Sequence, residues 1–324
     1  MHSSSPSPPS VSTAPPTPPA ARSKAQIFLR RLLSTLILWS IVLGAMFSGN
    51  KLLSDYVFLT IMVLLTVVGL AEFYGLVEKR EMVCFKGWGI FAGVLLIVGT
   101  FYHFSGKLGV AGTPARVNDF ETTFIILFVL GLCVRQFASH SNRAGIMAIS
   151  TTLFGLMYVP YLLNFIQKIN FFPGVQGPYY LIYFILITKL SDTGAYAVGS
   201  LFGKHKMIPR ISPGKTWEGF GGAVAVSTGA SLLFAHLAGD RLLGMNWGHA
   251  IILGVILSTS AVIGDLIESL FKREAGVKDS GKFFPGIGGI LDLLDSLLFN
   301  APLMYLYLRH VLTNPNPLLN VGSF

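Results

Sequence analysis

The chain has 324 residues, of which 52% are hydrophobic and only 12% are charged, and its mean hydropathy is +0.63. A soluble domain carries about 25% charged residues, so this composition excludes an ordinary soluble protein and predicts an integral membrane protein. The formal net charge is +9, but the basic residues are dispersed between apolar segments, which argues against a nucleic-acid partner. The two cysteines, Cys84 and Cys133, give neither a disulfide framework nor metal-ligand spacing.

Residues 1–25 form a tail rich in Pro, Ser, Thr and Ala. Such a segment cannot bury a core, so we expect a disordered cytoplasmic tail. A cleaved signal peptide is not expected, because the first apolar run begins near residue 27 and many more follow it. A recognition role and a simple tether both remain open for this tail.

Nine apolar segments approach the length of about 20 residues that a helix needs to cross a bilayer. They predict an all-α, polytopic membrane protein with about nine transmembrane helices. The predicted spans cover residues 32–49, 53–75, 87–104, 119–137, 146–166, 178–200, 217–238, 249–270 and 289–309.

The Lys and Arg residues are distributed unequally over the two sides of these spans. With the N-terminus inside, seventeen of them fall on the cytoplasmic side and six on the other, and Lys189 lies within a span. Because cytoplasmic loops are enriched in Lys and Arg, we expect a cytoplasmic N-terminus and a multi-pass protein of the cell inner membrane or plasma membrane. The six residues on the outer side are Lys51, Lys107, Arg116, Lys168, Arg241 and Arg309.

Most of the acidic residues lie between positions 192 and 295. We therefore divide the chain after the tail into an N-terminal transmembrane scaffold, residues 26–177, and a C-terminal catalytic transmembrane region, residues 178–310. Residues 311–324 form a short C-terminal tail.

A first polar constellation spans residues 189–219. Lys189 and Asp192 occur where the sixth span should still be in the membrane, and intramembrane ionisable residues mark function by default. A structural pair that holds helices together is the alternative. In the segment 212–216, a turn predicted to lead into a helix brings Lys215 and Thr216 to a helix start, which is suited to bind phosphate. The spacing of a Walker loop is absent.

A second constellation spans residues 264–298. Asp265 lies within the eighth span, and Glu268 and Ser269 follow it by about one turn on the same face. Asp292 and Asp295 stand at i and i+3 at the start of the ninth span. The three Asp carboxylates, at two helix ends joined by a loop, can converge on one point.

Converging carboxylates repel one another unless a cation compensates them, and ionised carboxylates are disfavoured where the dielectric is low. Mg²⁺ binds one or two carboxylates together with substrate phosphates, so these residues predict a metal-and-phosphate site at the cytoplasmic membrane surface. Two alternatives stay open. Asp292 and Asp295 can complement a helix dipole, and Asp265 can form an ion pair with Lys189 or Lys272.

The chain shows no G-x-S-x-G, no H-E-x-x-H and no Cys/His pair with a plausible geometry. Without a protein nucleophile, a substrate oxygen is expected to attack. Metal-assisted phosphoryl or nucleotidyl transfer fits such a site, because its catalysis is mostly positioning and charge neutralisation. A location in the membrane indicates that one substrate is a lipid.

The stretch "SLFKREAGVKDSGKFFPGIGGILDLLD", residues 269–295, resembles the signature of the CDP-diacylglycerol synthase family, also called phosphatidate cytidylyltransferases. That signature runs S-x-x-K-R, four residues, K-D, then H-G-G and D-R-x-D. The stretch "SDTGAYAVGSLFGKHKMIPRISPGKTWEGF", residues 191–220, is similar to the second characteristic segment of the family. The resemblance covers about residues 178–310.

The resemblance implies that CTP and phosphatidate, a membrane lipid, react with Mg²⁺ as cofactor to give CDP-diacylglycerol and pyrophosphate, and it suggests a homodimer. The metal-binding carboxylates it implies are Asp265 and Asp292. The catalytic residues it implies are Asp265, Lys278, Asp279, Asp292 and Asp295. The substrate-binding residues it implies are Lys215, Thr216, Ser269, Lys272 and Arg273.

Two positions depart from the family pattern, since Ile287 replaces the His before Gly-Gly and Leu293 replaces the Arg between the two Asp residues. The His could position a phosphate or relay a proton, and the Arg could grip a phosphate with two hydrogen bonds. We expect a divergent but active enzyme, because the charged residues of the site are retained. A changed lipid or nucleotide preference and lost activity are the alternatives.

Three rival functions remain. A related CTP-dependent enzyme would act on another lipid, as a polyprenol-type kinase or an ether-lipid cytidylyltransferase. A transporter of an anionic solute would suit charged, broken helices, but the polar residues cluster on one side and no convincing internal repeat is present. A non-catalytic membrane partner would account for the departures at Ile287 and Leu293.

Overall fold

The computed structural model describes residue 44 and residues 49–105, 114–139, 144–281 and 289–313. Within this part of the chain, eight helices are long and apolar enough to cross a membrane. We number them α1 to α8; they extend over Lys51–Lys79, Lys86–Phe104, Pro114–Phe137, Gly145–Asn170, Gly177–Phe202, Trp217–Ala238, Trp247–Glu274 and Ile290–Tyr307.

One of these helices includes a π-helical turn, and a second π-helical turn follows α8. In α4 the turn Met157–Tyr161 contains Pro160, which has no backbone N–H to donate within a regular helix. The last turn after α8, Leu308–Leu312, is also π-helical. A short 3₁₀ turn, Gly239–Arg241, follows α6.

The prediction of an all-α, polytopic membrane protein is confirmed. Eight of the nine predicted spans coincide with α1 to α8, and the span predicted at 217–238 has the same limits as α6, Trp217–Ala238. The first predicted span, 32–49, lies almost entirely outside the described residues, as do the tails and position 287.

Side-chain caps fix the start of several helices. The Asn50 side chain accepts the Leu52 and Leu53 N–H groups at the start of α1, and the Asn246 side chain accepts the His249 N–H at the start of α7. Such caps satisfy backbone donors that have no partner within the helix.

Within the described residues, β structure is limited to one hairpin between α5 and α6. Strand β1, Lys206–Ile208, pairs antiparallel with strand β2, Ser212–Thr216. The sequence predicted a turn that leads into a helix at this point. Instead, an extended strand runs directly into α6, and Thr216 caps that helix by accepting the Gly219 N–H at 3.1 Å.

Glycines allow α7 to approach its neighbours closely. A Cβ at Gly254 would lie 2.6 Å from the Cα of Thr228 in α6, and a Cβ at Gly264 would lie 2.6 Å from the backbone oxygen of Asp295 in α8. Small residues at such contacts let helix backbones come together within a membrane. The approach at Gly264 brings the first turns of α8 beside the second half of α7.

One hydrophobic core joins the two halves of the chain. Its buried side chains come from helices on both sides of the predicted division at residue 177, and they include Phe73, Leu163, Phe184, Leu257 and Leu298. The division into scaffold and catalytic region stays a prediction. The two regions share one hydrophobic core, so they pack together as parts of one structure.

The placement of Lys168 corrects one assignment. It was counted among the charges outside the membrane, but it lies within α4, almost fully buried, and forms an ion pair with Glu121 of α3. Asn164 donates a hydrogen bond to the same Glu121 carboxylate at 2.7 Å. Lys168 therefore neutralises a buried carboxylate and does not contribute to the charge bias of the loops.

Candidate active site

Three carboxylates converge where the second half of α7 meets the start of α8. Asp265, Glu268 and Asp295 each offer an oxygen, and these oxygens all lie within 4.8 Å of one another. The i, i+3 spacing puts the first two on one face of α7, and the close contact at Gly264 brings Asp295 to them. The structure thus places two of the predicted site residues, Asp265 and Asp295, together.

Glu268 is the member of this group that sequence reasoning left out of the site. Its side chain is fully buried; Oε2 contacts Lys272 Nζ, and Oε1 has no hydrogen-bond partner among the described residues. A buried carboxylate oxygen without a partner is costly, and carboxylate oxygens are the ligands that hard divalent cations prefer. The residues present therefore fit a divalent metal. The signal in the sequence was an acidic residue one turn after Asp265, within an apolar helix.

Asp292, predicted as a metal ligand, makes other contacts. Its Oδ1 lies 2.6 Å from Lys272 Nζ. Its Oδ2 accepts the Gly289 N–H at 2.8 Å and the Ser280 hydroxyl at 2.9 Å. Asp292 thus caps α8, which is the helix-terminus role that the sequence left open, and its role as a metal ligand stays a prediction.

Asp265 forms its ion pair with Lys215 of β2 and not with the two lysines considered from the sequence. The distance from Lys215 Nζ to Asp265 Oδ2 is 2.7 Å, and the same Nζ donates to the backbone oxygen of Val262 at 3.1 Å. Lys215 is the last residue but one of β2, and β2 continues directly into α6. The strand and the helix together therefore hold Lys215 beside α7. Thr216, also predicted to bind substrate, is buried and uses its hydroxyl oxygen as the cap of α6.

Lys189 and Asp192 of α5 lie next to this group. Their side chains form an i, i+3 ion pair at 3.6 Å. Lys189 Nζ also donates to the backbone oxygen of Leu293 at 2.9 Å, and the Ser296 hydroxyl donates to Asp192 at 3.3 Å. The pair therefore ties α5 to α8 and, at the same time, brings two charges to the border of the site.

A cavity of about 390 Å³ opens beside the carboxylates, between α5, the hairpin, α6 and α7. This volume lies within the range of small-molecule sites, about 300–1,000 Å³. Its wall is partly polar, with the side chains of Asp192, Lys215 and Asp265, and partly apolar, with Tyr196 and Phe220. A ligand that carries both a phosphate and an apolar or aromatic part matches this lining.

The remaining predicted residues lie around the end of α7. The Ser269 hydroxyl donates to Asp265 Oδ1 at 3.4 Å, at the edge of hydrogen-bond distance. Arg273 Nε donates to the backbone oxygen of Ile211 at 3.3 Å and links α7 to the hairpin. Lys278 and Asp279 are exposed in the segment after α7. The structure thus does not gather every predicted residue at one point.

These observations define a polytopic membrane protein with a carboxylate and lysine site beside a cavity, where α5 and α7 end and α6 and α8 begin. The profile of the Cytidylyltransferase family matches residues 29–311; the chain belongs to this family and is a nucleotidyltransferase.

Individual relatives carry a more specific name. A phosphatidate cytidylyltransferase of Staphylococcus aureus (strain COL) is 43% identical over 200 residues, which are 61% of this chain and 72% of the relative. One of Haemophilus influenzae is 43% identical over 128 residues, 39% of this chain and 44% of the relative. One of Staphylococcus epidermidis is 38% identical over 186 residues, 57% of this chain and 66% of the relative.

Proposed function

We propose that this chain is a phosphatidate cytidylyltransferase of phospholipid biosynthesis, which transfers CMP from CTP to phosphatidate and releases pyrophosphate. The observation that carries the proposal is the position of Asp265. This one carboxylate belongs to the acidic group with Glu268 and Asp295, lines the cavity and pairs with Lys215. Metal-binding and phosphate-binding groups therefore meet at one wall of the cavity, and the names of the relatives supply the substrates.

In this reaction, a phosphate oxygen of phosphatidate attacks the α-phosphorus of CTP. A new P–O bond forms, the bond from the α-phosphorus to the oxygen bridging to the β-phosphate breaks, and pyrophosphate leaves with that electron pair. The products are CDP-diacylglycerol and pyrophosphate. Since both reactants are polyanions, catalysis depends mainly on positioning and on neutralising charge.

Asp265, Glu268 and Asp295 are the residues that would hold a divalent cation, which we propose is Mg²⁺. When bound, it would supply charge neutralisation to the phosphate oxygens and the leaving group. Lys215 offers an ammonium group at the cavity wall, where it can bind a phosphate oxygen while it neutralises Asp265. Lys272, one turn further along α7, contacts both Glu268 and Asp292, so one positive charge compensates part of the charge of these two carboxylates.

We propose that the site faces the cytoplasm of a cell inner membrane or plasma membrane. Lys204, Lys206 and Arg210 lie exposed on and beside the hairpin at this end of the bundle, and cytoplasmic connections are enriched in such residues. CTP would then enter from the cytoplasm, while phosphatidate reaches the cavity from the bilayer. A homodimer, suggested by the family resemblance, is part of the proposal and awaits cross-linking in membranes.

The test uses purified protein in mixed micelles with phosphatidate, Mg²⁺ and CTP labelled with ³²P at either the α- or the γ-position. Cytidylyl transfer carries the α-label into the lipid phase and leaves the γ-label in pyrophosphate. We expect lipid labelling from the α-position alone, abolished by EDTA and by Asp265→Asn. Asp240→Asn, in an exposed turn after α6, is the matched control and should retain activity.

The two labels also separate the rival functions. Lipid labelling from the γ-position would identify a lipid kinase and would contradict the proposal. Absence of lipid labelling from either position, in protein shown to be folded, would likewise contradict it. Labelling that persists in Asp265→Asn would contradict the assignment of the site.

A further inference from the structure

Glu72 lies in α1, within the half of the chain that carries none of the family motifs, and it contacts the start of α8. Its Oε1 accepts the Ile290 N–H at 3.1 Å, and its Oε2 accepts the Leu291 N–H at 2.8 Å. The hydroxyl of Ser280 lies 3.2 Å from the same Oε2. A carboxylate from a distant helix thus binds two successive backbone donors in the first turn of α8.

Glu72 and Asp292 divide the backbone donors at this helix start between them. Asp292 accepts the Gly289 N–H, Glu72 accepts the next two, and the Ser280 hydroxyl lies within hydrogen-bond distance of both carboxylates. The first N–H groups of a helix have no partner within the helix and carry its positive dipole end. They therefore stabilise two carboxylates that would otherwise repel each other.

Two glycines lie tightly against the Glu72 carboxylate. A Cβ at Gly289 would collide with the Ser280 hydroxyl and with Glu72 Oε2, and a Cβ at Gly281 would collide with Glu72 Oε1. The two ends of the segment 281–289 are therefore held against the same carboxylate, each at a residue that has no side chain to displace it.

The helix that carries Glu72 also packs against α7. The ring of Phe73 lies 6.3 Å from that of Phe271 in an edge-to-face arrangement, measured between centroids. Helix α1 therefore contacts α7 through an aromatic pair and α8 through Glu72. These are the two helices whose relative position sets the distances between Asp265, Glu268 and Asp295.

We propose that Glu72 is a positioning residue of the active site: by holding the first turn of α8, it fixes Asp295 in place beside Asp265 and Glu268. A carboxylate within a membrane-spanning helix is costly unless it is bound, and here the bonds it forms lie one turn before Asp295. As far as it concerns metal binding, this inference rests on the proposed function.

The experiment compares wild type, Glu72→Gln and Glu78→Gln as full-length protein in detergent micelles. Gln has nearly the same volume as Glu but only one oxygen, so one of the two N–H groups loses its acceptor. Glu78 provides the control, because it lies on the same helix and pairs with Lys86 on the exposed surface at 3.0 Å. Hydrogen exchange by mass spectrometry follows the amides of residues 289–293, and calorimetry follows the binding of Mn²⁺ as a probe metal.

For Glu72→Gln we expect exchange in the first turn of α8 to accelerate about tenfold, as loss of one charge-assisted hydrogen bond predicts. We expect Mn²⁺ affinity to fall about fivefold at a temperature where all three proteins are folded. Glu78→Gln should change neither quantity. Unchanged exchange at α8 would overturn the contact, and faster exchange with unchanged Mn²⁺ affinity would overturn the positioning role.

Glu72→Asp keeps the inference testable if Glu72→Gln does not fold. It retains the negative charge but shortens the side chain by one methylene, which withdraws the carboxylate from the Ile290 and Leu291 N–H groups, and we expect exchange at the start of α8 to accelerate about threefold. Exchange equal to wild type in Glu72→Asp would then overturn the inference. Failure of the proposed function is a separate result, since it would appear as absent cytidylyl transfer in wild type, while the exchange at α8 would still decide the role of Glu72.

Discussion

Lys215 Nζ lies 2.7 Å from Asp265 Oδ2, and this ion pair joins the hairpin before α6 to the second half of α7. The two residues are 50 positions apart in the sequence, where one was predicted to bind phosphate and the other a metal ion. Both line the same cavity. The ion pair therefore joins two motifs that are separate in the sequence, and both contribute to the same wall of the cavity.

Replacing Lys215 by Met should reduce turnover at subsaturating CTP by at least about tenfold, since Asp265 loses its cation and the cavity loses an ammonium group. Steady-state labelling in mixed micelles measures this effect. Lys206→Met, at an exposed position on the partner strand, should stay within about twofold of wild type. Equal losses in both variants would indicate a general effect of charge and would contradict the specific role of Lys215.

Replacing Glu268 by Gln should separate activity from stability. Turnover should fall at least about 100-fold, since a ligand of the metal is lost. The apparent melting temperature without metal should be retained or raised, because a fully buried carboxylate becomes neutral while Lys272 keeps its pair with Asp292. Glu274→Gln, exposed at the end of α7, serves as the control. A melting temperature that falls together with activity would assign Glu268 a structural role instead.

Asp292 and Asp295 should differ in their effect on metal dependence. Asn at 292 can still cap α8 through one oxygen and loses only the ion pair with Lys272. The half-saturating Mg²⁺ concentration should therefore rise by at least about tenfold in Asp295→Asn and by less than about threefold in Asp292→Asn. A magnesium titration of cytidylyl transfer measures both. An equal rise in the two variants would support the prediction from sequence that Asp292 is itself a ligand.

Divalent metal should stabilise the folded protein, because a ligand that binds only the native state adds about 2.7 kcal/mol at a concentration 100 times its dissociation constant. Mg²⁺ should raise the apparent melting temperature of wild type, and EDTA should reverse the rise. Asp295→Asn should show little or no rise. Differential scanning fluorimetry in detergent measures these shifts, and an equal rise in the variant would contradict metal binding at this group.

The buried pair of Glu121 and Lys168 should act on stability rather than on turnover. Lys168→Met leaves a buried carboxylate without its cation and should destabilise the protein by about 3 kcal/mol. The double variant Glu121→Gln, Lys168→Met should recover most of this loss, with turnover per folded protein close to wild type. A double-mutant cycle tests this prediction from the melting temperatures of wild type, both single variants and the double variant. Equal stability of Lys168→Met and the double variant would show that the pair is not coupled.

The transmembrane helices were readable from the sequence because a helix that crosses a membrane must be apolar over about 20 residues, whatever packs around it. For this reason the span predicted at 217–238 matches α6, Trp217–Ala238. The strand at Ser212–Thr216 was missed because a short polar segment with Pro and Gly carries little periodicity.

The candidate residues were readable for a similar reason, since charge within an apolar run is costly and therefore stands out. Asp265 was identified in this way, whereas Asp295 was identified from its spacing to Asp292 at the start of a span and Lys215 from its place at a predicted helix start. Their partners could not be read, because a pairing across helices depends on packing. The ion pair of Asp265 with Lys215, the ion pair of Asp292 with Lys272 and the burial of Lys168 against Glu121 are all of this kind.

The sequence by itself thus determined the class of protein, the helices and the charged residues that carry the chemistry, because these follow from local composition and from the energetic cost of charge in an apolar environment. Only the tertiary structure decided which carboxylates share one point. The close approach of α7 to α8 at Gly264 brings Glu268 into the group with Asp295, and the contact from Glu72 comes from a helix more than 200 residues away along the chain. Such distances depend on how whole helices pack, and no local pattern encodes them.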